Sequence, residues 1–341
     1  MNSFELIPTE ENLIHTLDKD LLKRNKDLVR FYDLILVQEG ASSIAIDGRW
    51  GSGKTFFVKQ SMLLINAKNP MSDMDDEKKA SIVYALPFPK KAEDMPENYD
   101  VAVYYDAWEN DNGTDPVLSL VYEIIKQLGI NYAFDDNSNA FKLAGSVLEA
   151  LTGRNINGII ENLKSDNPLT KIKEEKDLHE NIKNFFTELL VERGNRLVVF
   201  IDELDRCKPS YAVQLLERIK HYLYDDRITF VFSVNLGELQ HTIKHYYGNT
   251  FDACRYLDRF FDMRISLPPA DKTAFYREMG LESSYVLEKI CRKVIDTYNM
   301  ELREATRFYR QVKTAAYEPT HESRKFDFSF SDGKGRQLFL M

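Results

Sequence analysis

The chain has 341 residues, of which 43% are hydrophobic and 29% charged, and carries a net charge of -9. That length accommodates one large domain and a smaller accessory one, and the balance of residues excludes fibrous and intrinsically disordered classes. An acidic chain repels nucleic acid and anionic membranes, so a nucleic-acid motor would need a local basic track that the scattered lysines do not reveal.

The opening MNSFELIPTEENL places acids where an export signal needs a basic start and an apolar run, so a cytoplasmic location is expected. Residues Thr9 to Gln38 follow as a helix or helix pair, with Leu21, Leu22, Leu28, Phe31, Tyr32, Leu34 and Ile35 on one stripe. Ser43 to Asp47 is a short apolar strand, then a glycine-rich turn, then Phe56, Phe57, Val58, Met62 and Leu63 at helical spacing. Ser81 to Leu86 and Val101 to Tyr105 are expected strands around a loop rich in proline and charge, and Leu118 to Leu128 an expected helix. Residues 134–181 are polar and irregular and are expected to form an insertion. Charges at Lys142, Glu149 and Arg154 keep the apolar stretch there below the length of a membrane span.

Leu197 to Ile201 and Ile228 to Val234 are continuous β-branched and aromatic runs, the pattern of strands buried on both faces of a parallel sheet. Between them Ala212, Leu215, Leu216, Ile219 and Leu223 form one face of a crossover helix. A last strand, Met263 to Leu267, ends at Pro268-Pro269, and helical patterning resumes from Tyr285 to about Ala316. The expected fold is therefore α/β, a parallel sheet flanked by helices over 1–270 with a smaller helical region over 271–341. RKFDFSFSDGKGRQLFL alternates about Asp332-Gly333, as a terminal hairpin would. Cys207, Cys254 and Cys291 lack C-x-x-C spacing and neighbouring histidines, so buried, reduced thiols are expected rather than a zinc site.

Gly48 to Thr55 reads GRWGSGKT, fitting G-x-x-x-x-G-K-[ST] between a strand and a helix, where phosphates meet backbone N–H groups at a helix terminus. Gly48, Trp50, Gly51, Ser52, Gly53, Lys54, Thr55 and Phe56 are the expected nucleotide-binding set. Lys54 neutralises phosphate oxygens and Thr55 ligates magnesium. In RLVVFIDELDR the strand delivers Asp202 to its C-terminal end as the second magnesium ligand, and Glu203 follows to orient or deprotonate the attacking water. A strand-end surface acid is the plainer reading of Glu203, and local ion pairing that of Asp205 and Arg206. Asn235 follows the strand Ile228 to Val234, either as a γ-phosphate sensor or as a cap on the next helix. Arg255, Arg259, Arg303 and Arg307 are candidate transition-state cations. Arg259 is preferred as a finger from a neighbouring subunit and Arg303 as a lid residue acting within the chain.

RWGSGKT, YYDAW at Tyr104 to Trp108, IDELDRCKPSYAVQLLERIKHYL at Ile201 to Leu223, and FVFSVNLGELQHTI followed by YLDRFFDMRISLPP together resemble the KAP family of P-loop NTPases. The resemblance spans roughly residues 10 to 270. It implies an ATPase with a five-stranded parallel core and a helical lid, working as a homo-oligomer or with a partner effector. YLDRFFDMRISLP is also similar to the arginine-bearing segment of AAA+ ATPases, which is why Arg259 is favoured. Many family members insert a membrane hairpin where this chain has 134–181, without the apolar length for one. Bacterial relatives in phage-exclusion settings suggest a defence function by analogy. ATP over GTP rests on the same resemblance, since no N-K-x-D motif occurs. An ATP-bound assembly module with negligible turnover is the alternative reading.

Overall fold

Five strands make one parallel sheet in the computed structural model, which describes residues 7–88, 100–112, 116–131, 184, 194–222, 225–282 and 285–322. The strands are β1 (Ser42–Asp47), β2 (Val101–Asp106), β3 (Leu197–Asp202), β4 (Ile228–Val234) and β5 (Met263–Ser266), in the order β2-β3-β4-β1-β5. β4 thus lies between the strand that leads into the glycine-rich loop and the strand that ends in Asp202. The register aligns Asp106 with Asp202, Asp202 with Ser233, and Ser233 with Ile46, so one row crosses four strands at their C-terminal rim.

Alternate residues of the central strands feed separate cores. Leu197, Val199 and Ile201 of β3 pack with α5 (Pro116–Asn131), α6 (Pro209–Tyr222), α7 (Leu236–Tyr247) and α8 (Ala253–Leu257). Val198 and Phe200 face α1 (Glu10–Asp18), α2 (Asn25–Leu36), α3 (Lys54–Lys68) and α4 (Asp76–Tyr84). Burial on both faces is why these strands read as unbroken apolar runs. A third cluster joins Leu22 to α9 (Thr273–Glu278), α10 (Val286–Thr297) and α11 (Leu302–Glu322), the helical region expected after residue 270.

Two expectations are corrected. Ser81 to Leu86 is not a strand: Asp75 caps α4 by accepting from the N–H groups of Glu77 and Lys78, and two further acids, Asp76 and Glu77, favour its first turn. Ile82 is buried while Tyr84 is almost fully exposed, so an apolar run of six was a helix end with one inward turn. Cys254 is exposed on the short α8, whereas Cys207 and Cys291 are buried. The expected insertion at 134–181, the terminal hairpin and Leu223 lie outside the described residues.

β2 forms one edge of the sheet, and its outward main-chain groups are closed by side-chain amides. Asn66 of α3 donates to the Ala102 carbonyl at 2.9 Å and accepts from its N–H at 2.9 Å. Gln127 of α5 does the same for Tyr104, accepting its N–H at 2.9 Å and donating to its carbonyl at 2.5 Å. Asn66 is buried, so Asn66→Ala would leave a donor and an acceptor unpaired away from water. A loss of about 3 kcal/mol is expected, measurable as a lower midpoint in urea unfolding followed by circular dichroism.

Candidate nucleotide-binding site

The loop Gly48 to Gly53 leaves β1 and enters α3, whose first N–H groups have no partner within the helix and favour an anion. Gly51 (φ 80°) and Gly53 (φ 91°) take left-handed conformations. A Cβ on Gly51 would sit 3.2 Å from the Arg303 Cβ and 3.3 Å from that of Glu301, and one on Gly53 would sit 3.0 Å from an Arg24 nitrogen. Glycine here therefore serves both the turn and close packing against the C-terminal helical region. Lys54 donates from Nζ to the carbonyls of Gly48 (2.7 Å) and Arg49 (3.2 Å). Burial holds its pKa below the usual lysine value, against the opposing charges of Asp205, Asp202 and Glu203.

Arg24, just before α2, is buried and links this loop to the end of the sheet. Its guanidinium donates to the Ser52 carbonyl at 2.9 Å and to that of Pro268 at 3.1 and 2.5 Å. Burial lowers its pKa to about 10, which leaves it charged at neutral pH.

At the rim of β3, Asp202 is 1% exposed and accepts from the Glu203 N–H at 3.0 Å and the Tyr104 hydroxyl at 3.1 Å. The chain then turns sharply: Glu203 has φ 60°, a left-handed conformation that costs a side-chain-bearing residue about 1 kcal/mol. The turn aims its carboxylate into the cleft, 2.5 Å from the Nε of Arg206. Desolvation, then the neighbouring Asp202 charge, pushes the Glu203 pKa up to about 7, while Arg206 and Lys54 pull it down. Asp205, also buried, accepts from the Trp50 indole N–H at 2.6 Å, and burial raises its pKa. The Arg206 guanidinium lies over the rings of Trp50 and Trp108, 5.8 and 5.5 Å from their centroids. The expected pairing of Asp205 with Arg206 gives way to two crossed contacts, acid to indole and arginine to glutamate.

These residues face a cleft of about 790 Å³. Gly51, Gly53, Lys54, Thr55, Tyr104, Asp106 and Glu203 line it together with the apolar Ile7, Pro8, Leu22 and Leu302, of which Leu22 and Leu302 lie against Gly53. Arg303, Arg307 and Arg310 of α11 also line it, Arg303 packed against Gly51, with Lys59 and Arg206 adding positive charge. Of the residues singled out by sequence, Trp50, Gly51, Gly53, Lys54, Thr55, Phe56, Glu203, Arg206, Arg303 and Arg307 meet here, with Gly48 and Ser52 in the loop itself. Phe56 is mostly core, only 6% exposed. Asn235 does not line the cleft; its side chain accepts from the Glu238 N–H at 3.4 Å and caps α7. Arg259 is exposed near the opposite end of the sheet, where Asp262 donates to the carbonyl of Ser43 at the start of β1. Arg255 is exposed on α8.

A magnesium nucleotide fits these residues. Asp202 and Thr55 carry oxygen donors of the hard type magnesium prefers, and magnesium is commonly held by one or two protein oxygens plus phosphates. No cluster of three histidines, cysteines or carboxylates suited to a metal occurs among the described residues, so this is not an all-protein cage. The hydroxyls of Ser52, in the loop, and Ser233, paired in register with Asp202, are buried beside the cleft without a hydrogen-bond partner among the described residues, though neither residue lines it.

Sequence patterns did not single out Arg24, Tyr104, Ser233 or the apolar lining of the cleft. Their roles come from contacts across up to 244 positions, such as Arg24 with Pro268. Only Tyr104 had a local signal, its place in YYDAW two residues before the end of β2.

Residues 25–318 match the KAP family P-loop domain. An uncharacterized protein of Methanocaldococcus jannaschii is 33% identical over 95 residues, covering 25% of this chain and 49% of that protein, so the chain spans about half the length of that relative. No described helix is long and apolar enough to cross a membrane.

Arg24→Met removes three hydrogen bonds from a charged donor to two carbonyls. It is expected to cost about 3 kcal/mol in chemical denaturation and to weaken fluorescent-nucleotide binding several-fold by loosening the Ser52 carbonyl. Unchanged stability with unchanged affinity would show that the loop holds its shape without this contact.

Proposed function

The chain belongs to the KAP family of P-loop NTPases, and from that premise we propose that it binds ATP with magnesium and hydrolyses it to drive a conformational switch, as a homo-oligomer or with a partner effector. The observation that carries this reading is the convergence of Lys54, Thr55 and the Glu203 carboxylate on one cleft, beside the buried Asp202. A P-loop alone binds phosphate; turnover also needs a carboxylate placed to orient water, and Glu203 supplies one from the residue after the metal-side acid.

In this reading Lys54 leaves the carbonyls of Gly48 and Arg49 for phosphate oxygens, and the loop N–H groups and the α3 terminus take the remaining negative charge. Thr55 and Asp202 would hold magnesium, which when bound would neutralise phosphate charge. Glu203 accepts a proton from the attacking water, a task suited to a carboxylate whose proton affinity burial has raised. Asn235 senses the γ-phosphate by exchanging its cap contact for it. Arg303 reads phosphate from α11 within the chain, and Arg259, remote from its own cleft, completes the cleft of a second copy. The apolar part of the cleft lining, Ile7 and Pro8 among it, takes the base. Operation in the cytoplasm is part of this reading; a role in bacterial defence rests on the family resemblance alone.

The second reading is an ATP-bound assembly module with negligible turnover: Arg206 lowers the proton affinity of Glu203, and a weaker base turns over more slowly.

The test is magnesium-dependent ATP hydrolysis across protein concentrations, with Lys54→Ala and Glu203→Gln alongside. Lys54→Ala is expected to abolish binding, and Glu203→Gln to bind ATP while losing at least about a hundredfold in kcat. Activity per molecule should rise with concentration, and Arg259→Ala should remove that rise. Wild-type turnover in Glu203→Gln would overturn the catalytic assignment, and tight binding without turnover at any concentration would establish the assembly module.

A further inference from the structure

We propose that Arg206 is a positioning residue that fixes the Glu203 carboxylate in the cleft and is itself fixed by the indoles of Trp50 and Trp108, so that the glycine-rich loop and the acidic turn move as one unit. The proposal rests on the assignment of Glu203 as the residue that orients water.

Three segments meet at this guanidinium. The turn Leu204–Arg206 holds the backbone of Arg206 to that of Glu203 through its N–H to the Glu203 carbonyl at 3.1 Å, and the side chains pair at 2.5 Å. Trp50 belongs to the phosphate loop and Trp108 follows the end of β2. The guanidinium lies over both rings, and the Trp50 indole is tied back to Asp205 at 2.6 Å. A planar guanidinium can stack by its faces and pair by its edge at the same time, which an ammonium cannot. Glu203 needs such a holder, because the chain leaves the sheet at a left-handed residue and the ladder places no constraint on its side chain. Trp108 does not line the cleft, so any effect it has on turnover passes through Arg206. A ligand that shifts Trp50 therefore shifts Arg206 and, with it, the carboxylate.

The chain has two tryptophans, and both are these. Intrinsic indole emission is thus a direct readout of the clamp that needs no turnover. The experiment compares the full-length parent with Arg206→Met, Arg206→Lys, Trp108→Leu and Glu203→Gln, measuring kcat and KM for ATP, fluorescent-nucleotide affinity and tryptophan emission. Retained nucleotide affinity serves as the folding control. Arg206→Met is expected to lower kcat by on the order of a hundredfold, with KM within about twofold, because misplacement of a catalytic group acts on the chemical step. Trp108→Leu should lower kcat by about tenfold in the same manner, and Arg206→Lys should recover only part of the loss. Emission should change in Arg206→Met. Parental kcat in Arg206→Met with an inactive Glu203→Gln would overturn the clamp and leave the ATPase reading standing. A fully active Glu203→Gln would instead remove the reading on which the clamp rests. Should the parent not turn over, emission decides: indole spectra in Arg206→Met identical to the parent, with and without ATP, overturn the proposal.

Discussion

A parallel sheet buried on both faces can keep polar groups only where its strands end or its edges are closed, and this constraint organises the molecule. β1, β3 and β4 are buried along almost their whole length, and the acids of β1 and β3 emerge at one rim. Asp47, Asp202 and, on the edge strand, Asp106 all emerge there. The rim is dry enough to raise the proton affinity of Glu203 and Asp205 and to lower that of Lys54, so its charges act strongly on one another. The glycine-rich loop, the acidic turn and the first residues of α11 are packed into this one place because nowhere else on the sheet can hold them.

How much of this was legible follows from how local each signal was. The loop Gly48 to Thr55 and the four strands around it are written in short runs: an unbroken apolar stretch, then glycines or acids. Position along the chain alone put Asp202 and Glu203 at a strand end. The insertion of β4 between β1 and β3 was not readable, since strand order is decided by packing across the sheet. Ser81 to Leu86 misled because six residues are too few to separate a helix period from a strand period; the capping Asp75 and the acids after it were the better guide. Asn235 shows a further limit, for a side chain that suits a sensor also suits a cap, and in this state it caps.

The least legible part was the set of contacts between distant segments. Arg24 meets Ser52 and Pro268, Trp50 meets Asp205, and Trp108 meets Arg206. In sequence none of them announces its partner. Their partners are chosen by three-dimensional proximity, and the common chemistry is that of flat cationic and aromatic groups, which satisfy charge and apolar contact together. The KAP resemblance drew attention to the tryptophan in the loop and to DELDRC, but not to the fact that they touch.

The closure of β2 by Asn66 and Gln127 bears on how copies of this protein could meet. Exposed strand edges invite a neighbour to extend the sheet, and many chains associate or aggregate in that manner. Here the outward main-chain groups of Ala102 and Tyr104 already have partners, and the other edge is β5, four residues long. Main-chain templating therefore has almost no purchase on this domain. Any recognition of a second copy or of a partner is thereby left to side-chain surfaces, whose rearrangement need not disturb the sheet beneath.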